Sequence, residues 1–224
     1  MPRAARYVTR TSEVRGIVFD LDGVLLDSEP LHFRAASRIF RTEGKTLRED
    51  EYRASIGLGA METWTAWKRQ HGLAGDVRDL IVADERARLE EIRRGIDPIP
   101  EAVALARRLA VNRMPLAIAS SSAPDTIDAE LTALGVADVF AIRISGDQVK
   151  RPKPAPDVYR RAAELLGLPP QACLAIEDSP VGVAAAKGAE MTCVAVPTSW
   201  TLNGDFSLAD VTLESLRYFP LLFQ

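Results

Sequence analysis

Asp20 and Asp22 stand one residue apart where the apolar run Ile17-Val18-Phe19 ends, and Gly23 follows at once. A short run of β-forming residues reads as a buried strand. Burying an unpaired carboxylate with it would be costly, so the two aspartates belong at the strand's mouth, facing something cationic. An ordinary polar turn built on Asp22-Gly23 fits this stretch equally well.

Other apolar runs stop in the same way. Leu116-Ala117-Ile118-Ala119 ends at Ser120-Ser121-Ser122, and Cys173-Leu174-Ala175-Ile176 ends at Glu177-Asp178. The run Val139-Phe140-Ala141-Ile142 leads to a loop that starts at Ser145 and contains Lys150, Arg151 and Lys153. In an open parallel sheet these strand ends share one edge, where such folds bind ligands. Serine followed by proline recurs there, at Ser28/Pro30, Ser122/Pro124 and Ser179/Pro180. Each is a helix-start signal, and helix N-termini favour anions.

Carboxylates, a hydroxyl, helix amides and a lysine on one edge suit phosphoryl transfer through a hard cation. Mg²⁺ takes carboxylate oxygens and keeps several waters, and Asp20, Glu177 and Asp178 are candidate ligands. The ion would screen the approach of one aspartate, as nucleophile, to an anionic phosphate. A carboxyl two residues on can protonate the leaving oxygen and later deprotonate water. Ser120 and Lys153 can meet the charge of the transferring group.

The elements that must position these residues follow from the pattern. Residues 30 to 96 carry helical spacing and no strand signal, which predicts a small all-α subdomain inserted after the first strand. Leu31, Ala35 and Ile39 share one helix face, and Gly44 closes that helix. Thr46 with Glu49 forms a capping box for a second helix. Trp64 and Trp67 lie on a third, as subdomain core, with His71 at its end. Asp76 caps a fourth helix carrying Leu80, Ala83, Ala87 and Leu89. The loop Gly57-Leu58-Gly59-Ala60-Met61 joins the second and third helices. Beyond Asp97-Pro98, strands alternate with helices through Thr192–Val196, which predicts right-handed βαβ units and a Rossmann-like parallel sheet. The α/β core is thus residues 1–29 and 97–224, and the helical cap is 30–96.

The 224 residues carry 47% hydrophobic and 26% charged side chains, those of a soluble globular chain. A net charge of -3 argues against a generic nucleic-acid binder. Arg3, Arg6, Arg10 and Arg15 make the first residues basic, as a solvated tail. No apolar run reaches the length of a membrane span, and no signal-peptide core follows those arginines. Cys173 and Cys193 are expected as buried free thiols, in a reducing, cytoplasmic setting. The expected protein is a monomer acting on a small phosphorylated metabolite, without nucleic-acid or membrane partners.

Read together, the motifs resemble those of the haloacid dehalogenase-like hydrolase superfamily, in the branch with a helical cap after the first strand. The resemblance rests on Asp20-Leu-Asp22-Gly-Val-Leu-Leu-Asp27-Ser-Glu29, Ile118-Ala-Ser120, Lys153-Pro-Ala-Pro-Asp157 and Ile176-Glu177-Asp178-Ser-Pro-Val-Gly182, in that order. It implies Asp20 as nucleophile and Asp22 as acid/base, with the Asp22 backbone carbonyl also offered to Mg²⁺. It implies Ser120 and Lys153 as stabilisers of phosphate charge, and Asp178 with Glu177 on the metal side. Ser121, Gly23, His32, Gly57, Leu58 and Gly59 are the expected substrate or phosphate contacts. An acid at position 22 separates the chain from the family's dehalogenases and points to phosphate chemistry. Within that class the texture is similar to sugar-phosphate phosphatases and to β-phosphoglucomutase-like enzymes. His32-Phe33-Arg34 resembles the mutase pattern, but Ala60 stands where a mutase would carry an arginine for a second phosphate. A phosphatase is the favoured reading, a phosphosugar mutase the runner-up, and a non-catalytic phospho-acceptor module the alternative of another class.

Overall fold

The computed structural model describes residues 14–223, so Arg3, Arg6 and Arg10 of the basic stretch lie outside the described residues. Six strands form one parallel sheet: β1 (Gly16–Phe19), β2 (Leu116–Ser120), β3 (Ile142–Ser145), β4 (Cys173–Glu177), β5 (Thr192–Ala195) and β6 (Val211–Thr212). Their order is β3-β2-β1-β4-β5-β6. The chain therefore works outward from β1 on one side and then returns to pair β4 on the other. This reversal opens a crevice beyond the carboxyl ends of β1 and β4, the place where open α/β sheets bind ligands.

The central strands are apolar throughout because both sheet faces are covered. Ile17, Phe19, Ile118, Leu174 and Ile176 point to one face with Ala102, Leu105 and Phe140. Val18, Ala117, Ala119, Ala175 and Cys193 point to the other with Tyr159, Ala162 and Val183. Covering helices are α5 (Pro100–Val111) and α6 (Pro124–Ala133), then α7 (Asp157–Leu166) and α8 (Pro180–Gly188). Small side chains on the second face let α7 and α8 approach the sheet closely. Cys173 and Cys193 are buried free thiols, and burial pushes them up to about 11 and to still higher values respectively. Among the described residues, no helix is long and apolar enough to cross a membrane.

Four more helices lie between β1 and β2: α1 (Glu29–Thr42), α2 (Glu49–Arg53), α3 (Ala60–His71) and α4 (Val77–Arg94). They share their own core of Phe40, Leu47, Tyr52, Trp64, Trp67, Leu73 and Leu80. The two segments joining them to the sheet are tied together, Asp27 N–H donating to Asp97 O (2.8 Å) and Ile99 N–H to Leu25 O (2.9 Å). Arg34 and Arg38 of α1 pair with Glu91 of α4 at 2.9 and 3.4 Å.

Three elements differ from the sequence expectation. Helix α2 starts at Glu49 with Arg48 as its N-cap residue, and Glu51 accepts from Arg48 N–H at 3.0 Å. Thr46 is not the cap because Leu47 must first dip into the helical core, where it is buried. Strand β3 begins only at Ile142, since Phe140 leaves the strand line to pack edge-on against Phe19 at 5.5 Å. The short β6, which carries no strong strand signal, closes the far edge beside β5.

Phe40 is fully buried and touches the rings of Trp64, Trp67 and His71. Phe40→Ala is expected to cost about 3–5 kcal/mol, read as a lowered urea midpoint for loss of the helical block's tryptophan fluorescence.

Candidate active site

Parallel register brings the chemistry together. Phe19 sits opposite both Ile118 and Ile176, so Asp20 is level with Glu177 and one residue short of Ser120 at the same sheet edge. Asp20 N–H donates to Ile176 O at 2.9 Å, holding the end of β1 against β4. The Asp20 Oδ1 accepts from its neighbour Leu21 N–H (2.8 Å) and lies 3.0 Å from Lys153 Nζ. Both donors hold one oxygen, which leaves Oδ2 for chemistry.

Lys153 reaches this point from the loop before α7 and also donates to Glu177 Oε1 at 2.7 Å. Its side chain is 5% exposed. Burial alone would discharge the ammonium, but Asp20 and Glu177 outweigh it and hold Lys153 charged, above the usual lysine range. Glu177 is completely buried. Its Oε1 also accepts from Tyr159 Oη (2.5 Å) and its Oε2 from Ser179 Oγ (3.2 Å). Glycine at 182 makes room for it, since a Cβ there would lie 1.9 Å from Glu177 Oε1.

Asp178 faces Asp20 across the crevice. One oxygen each of Asp20, Glu177 and Asp178 lies within 4.8 Å of the others. Burial first, then repulsion from Glu177 on Asp20 and from Asp20 and Glu177 on Asp178, pushes both well above the ordinary carboxylate range. That is the signature of a pocket short of positive charge, and an all-oxygen donor set fits a hard divalent cation such as Mg²⁺. Gly23 adopts φ +70°, and a Cβ there would stand 2.2 Å from Asp178 Oδ2. The tight turn and the close approach both require glycine.

Asp22 points the other way, toward the helical block. Its Oδ2 accepts from Ser122 Oγ (2.8 Å) and Ser120 Oγ (3.3 Å), and its Oδ1 lies 3.5 Å from His32 Nε2. Burial works to raise Asp22, yet His32 first, then the Ser28 and Ser122 hydroxyls and the Arg88 charge, outweigh it and hold the carboxyl below its usual value. His32 is pushed down to about 3 by burial and by the Arg88 charge, against the pull of Asp22. The imidazole is therefore neutral at ordinary pH.

Above these groups lies a cavity of about 640 Å³. Asp20, Asp22, Lys153, Asp178, Ser121, His32, Gly57, Leu58 and Gly59 line it. Ser120, Gly23 and Glu177 do not line it. Ser120 is completely buried between β1 and β3, where it orients Asp22 and accepts from Ser122 N–H at 3.0 Å. Trp64 and Trp67 serve both as helical core and as cavity wall.

Several wall residues escape a reading of motifs. Tyr52 donates to Glu29 at 2.5 Å, and Arg88 pairs with Asp84 at 2.9 Å. Burial opposes the Arg88 charge, but Asp84, Tyr52 and Asp22 outweigh it and raise it above its usual range. The signal was present in α4: its buried stripe Leu80, Asp84, Ala87 and Glu91 keeps helical spacing and carries two carboxylates. Charged residues on a core-facing stripe need a partner or a ligand.

The haloacid dehalogenase-like hydrolase family model matches residues 14–190. The chain is 33% identical over 214 residues to Protein CbbY of Rhodobacter capsulatus, covering 91% of this chain and 94% of that protein. It is 32% identical over 210 residues to hexitol phosphatase B of Escherichia coli K12, covering 91% and 93%. The crystal structure of a CbbY variant from Rhodobacter sphaeroides in complex with xylulose-(1,5)bisphosphate superposes with a TM-score of 0.82. That pair shares 30% identity over 91% of this chain and 95% of the other.

Gly23→Ala would push Asp178 away from Asp20. Mg²⁺ is expected to raise the melting temperature of the parent protein and to raise that of Gly23→Ala much less, each compared with its own chelated form by calorimetry.

Proposed function

The chain belongs to the haloacid dehalogenase-like hydrolases and is a phosphoric monoester hydrolase, and from that premise we propose a Mg²⁺-dependent phosphatase acting on a small hydroxylated phosphate ester through an aspartyl-phosphate. The observation that carries this reading is the Asp20 carboxylate. It is fixed through Oδ1 by Lys153 and Leu21, faces Asp178, and stands two residues from a second carboxyl that opens on the same cavity.

Asp20, Asp178 and the Asp22 backbone carbonyl would hold the ion, with Glu177 behind them keeping Lys153 in place. When bound, Mg²⁺ would neutralise phosphate charge and lower the raised carboxyls. Asp20 Oδ2 attacks phosphorus as the bond to the leaving oxygen breaks, and Asp22 passes to that oxygen the proton it takes from the entering phosphate monoanion. In the second half Asp22 takes a proton from water, which attacks the acyl phosphate and frees Asp20. Lys153 meets the charge on the transferring oxygens. Ser121, at the carboxyl end of β2, is placed to donate to them, and Ser120 and Ser122 orient Asp22. We assign residues 30–96 as a cap that excludes water while the first transfer proceeds.

The cap-side wall supports a choice of leaving group. Glu29, Asp84 and Glu85 line it, and its guanidinium, Arg88, is already paired with Asp84. A second phosphate would meet more carboxylate than free cation there. Vicinal hydroxyls can instead donate to these carboxylates, over the rings of Tyr52, Trp64 and Trp67. This favours a sugar or polyol monophosphate over a bisphosphate. The same wall, with Ala60 at the cap loop, weighs against a mutase that must grip phosphate at both ends.

Asp20→Asn should abolish turnover of p-nitrophenyl phosphate and the acid-stable label left by a ³²P-labelled substrate; retained turnover would remove Asp20 as nucleophile, and absence of turnover in the parent protein would favour a non-catalytic acceptor. In a metabolite panel with Mg²⁺, polyol and sugar monophosphates should show higher kcat/KM than bisphosphates of the same carbon length. The opposite order would overturn the assignment of the cap-side wall.

A further inference from the structure

Glu130 is the one residue in the described structure whose two carboxylate oxygens are both buried without a hydrogen-bond partner. It sits on α6, fully buried, and plays no part in the reaction described above. Native proteins pair nearly all buried polar groups, because an orphaned one keeps the full cost of leaving water. Two further orphaned atoms lie next to it, His32 Nε2 from α1 and Asp22 Oδ1 from the β1 loop. One ligating atom from each of the three residues falls within 4.8 Å of the others.

We infer that Asp22, His32 and Glu130 form a second cation site, selective for a borderline transition metal such as Zn²⁺ and distinct from the all-oxygen Mg²⁺ site of Asp20 and Asp178. The donor set carries the selectivity. A neutral imidazole with two carboxylates suits Zn²⁺, whereas Mg²⁺ prefers oxygen and retained water. The spacing fits as well. Two ligands each about 2.0–2.1 Å from one tetrahedral ion stand about 3.3 Å apart, and His32 Nε2 lies 3.5 Å from Asp22 Oδ1. Three protein ligands would leave a fourth position for water, toward the cavity that His32 and Asp22 line.

The ligands come from both sides of the crevice, His32 from the helical block and Asp22 and Glu130 from the α/β core. A bound ion would therefore fasten the two together. It would also occupy the carboxylate that serves the leaving oxygen, so Zn²⁺ would inhibit; this second consequence rests on the acid/base role proposed for Asp22, while binding itself does not.

The test uses the full chain in excess Mg²⁺, with Glu130→Gln as the isosteric variant and Glu130→Val as one that removes the buried carboxyl. Zn²⁺ binding is followed by competition with a chromophoric chelator, and Co²⁺ binding by its visible d–d absorption. The parent protein should bind one Zn²⁺ tightly and give a four- or five-coordinate Co²⁺ spectrum. Both variants should lose at least about tenfold in Zn²⁺ affinity, lose that spectrum, and keep their Mg²⁺-dependent turnover while escaping Zn²⁺ inhibition. Equal affinity and spectra in parent and variants would overturn the site, as would Zn²⁺ inhibition unchanged by either substitution, because the ion would then act at Asp20 and Asp178. Absence of turnover with Mg²⁺ alone would instead count against the phosphatase reading, and the Co²⁺ spectrum would still decide the site.

Discussion

A single buried ammonium organises the catalytic edge. Lys153 Nζ stands 3.0 Å from Asp20 and 2.7 Å from Glu177, with its side chain almost wholly out of water. Each carboxylate lowers the cost of burying the cation. The arrangement holds only because other groups complete it. Tyr159 and Ser179 satisfy the remaining lone pairs of Glu177, and Gly182 lets its carboxylate lie against α8. Breaking any one of these contacts leaves a charge uncompensated where water cannot reach it. The position of Asp20 is thus an outcome of packing four elements, β1, β4, α7 and α8, around one charge.

From that fixed point the two aspartates diverge. Asp20 is drawn down toward Lys153 and Asp178, while Asp22 is turned up toward Ser122 and His32. Gly23 makes the divergence possible, because its φ of +70° turns the chain back over Asp178 at a distance that admits no side chain. One environment is short of positive charge and suits a divalent ion. The other sets hydroxyl donors and a buried histidine against the carboxyl. The helical block completes the cavity from above, and its two tethers pair through backbone hydrogen bonds at Asp27/Asp97 and Leu25/Ile99.

How much of this was legible in the chain varies by residue. The strand ends at Asp20, Ser120 and Glu177 could be placed because an apolar run that stops at charged residues has few other structural meanings. The parallel sheet followed from strand–helix alternation, and the helical insertion from a long segment without strand signal. Strand β3 starts later than its apolar run suggests, because Phe140 looks like a strand residue but fills the core beside Phe19. Arg88, Asp84 and Glu130 lie away from the strand ends that mark the site. They belong to no motif, and what sets them apart is burial without an obvious partner, or with one that only another helix supplies.

The sequence by itself determined the chemistry that could occur, because residue type and strand-end position are local properties: a carboxylate beside a β-strand terminus keeps its character in any packing. It also determined the layered α/β architecture, since apolar periodicity is read along the chain. Tertiary structure alone decided which atoms of these residues are free. It committed Asp20 Oδ1 and both oxygens of Glu177 to donors, removed Ser120 from the cavity surface, and set a guanidinium and several carboxylates on the wall opposite. Those outcomes depend on distances between segments more than a hundred residues apart, and such distances are set by how helices and sheet pack together.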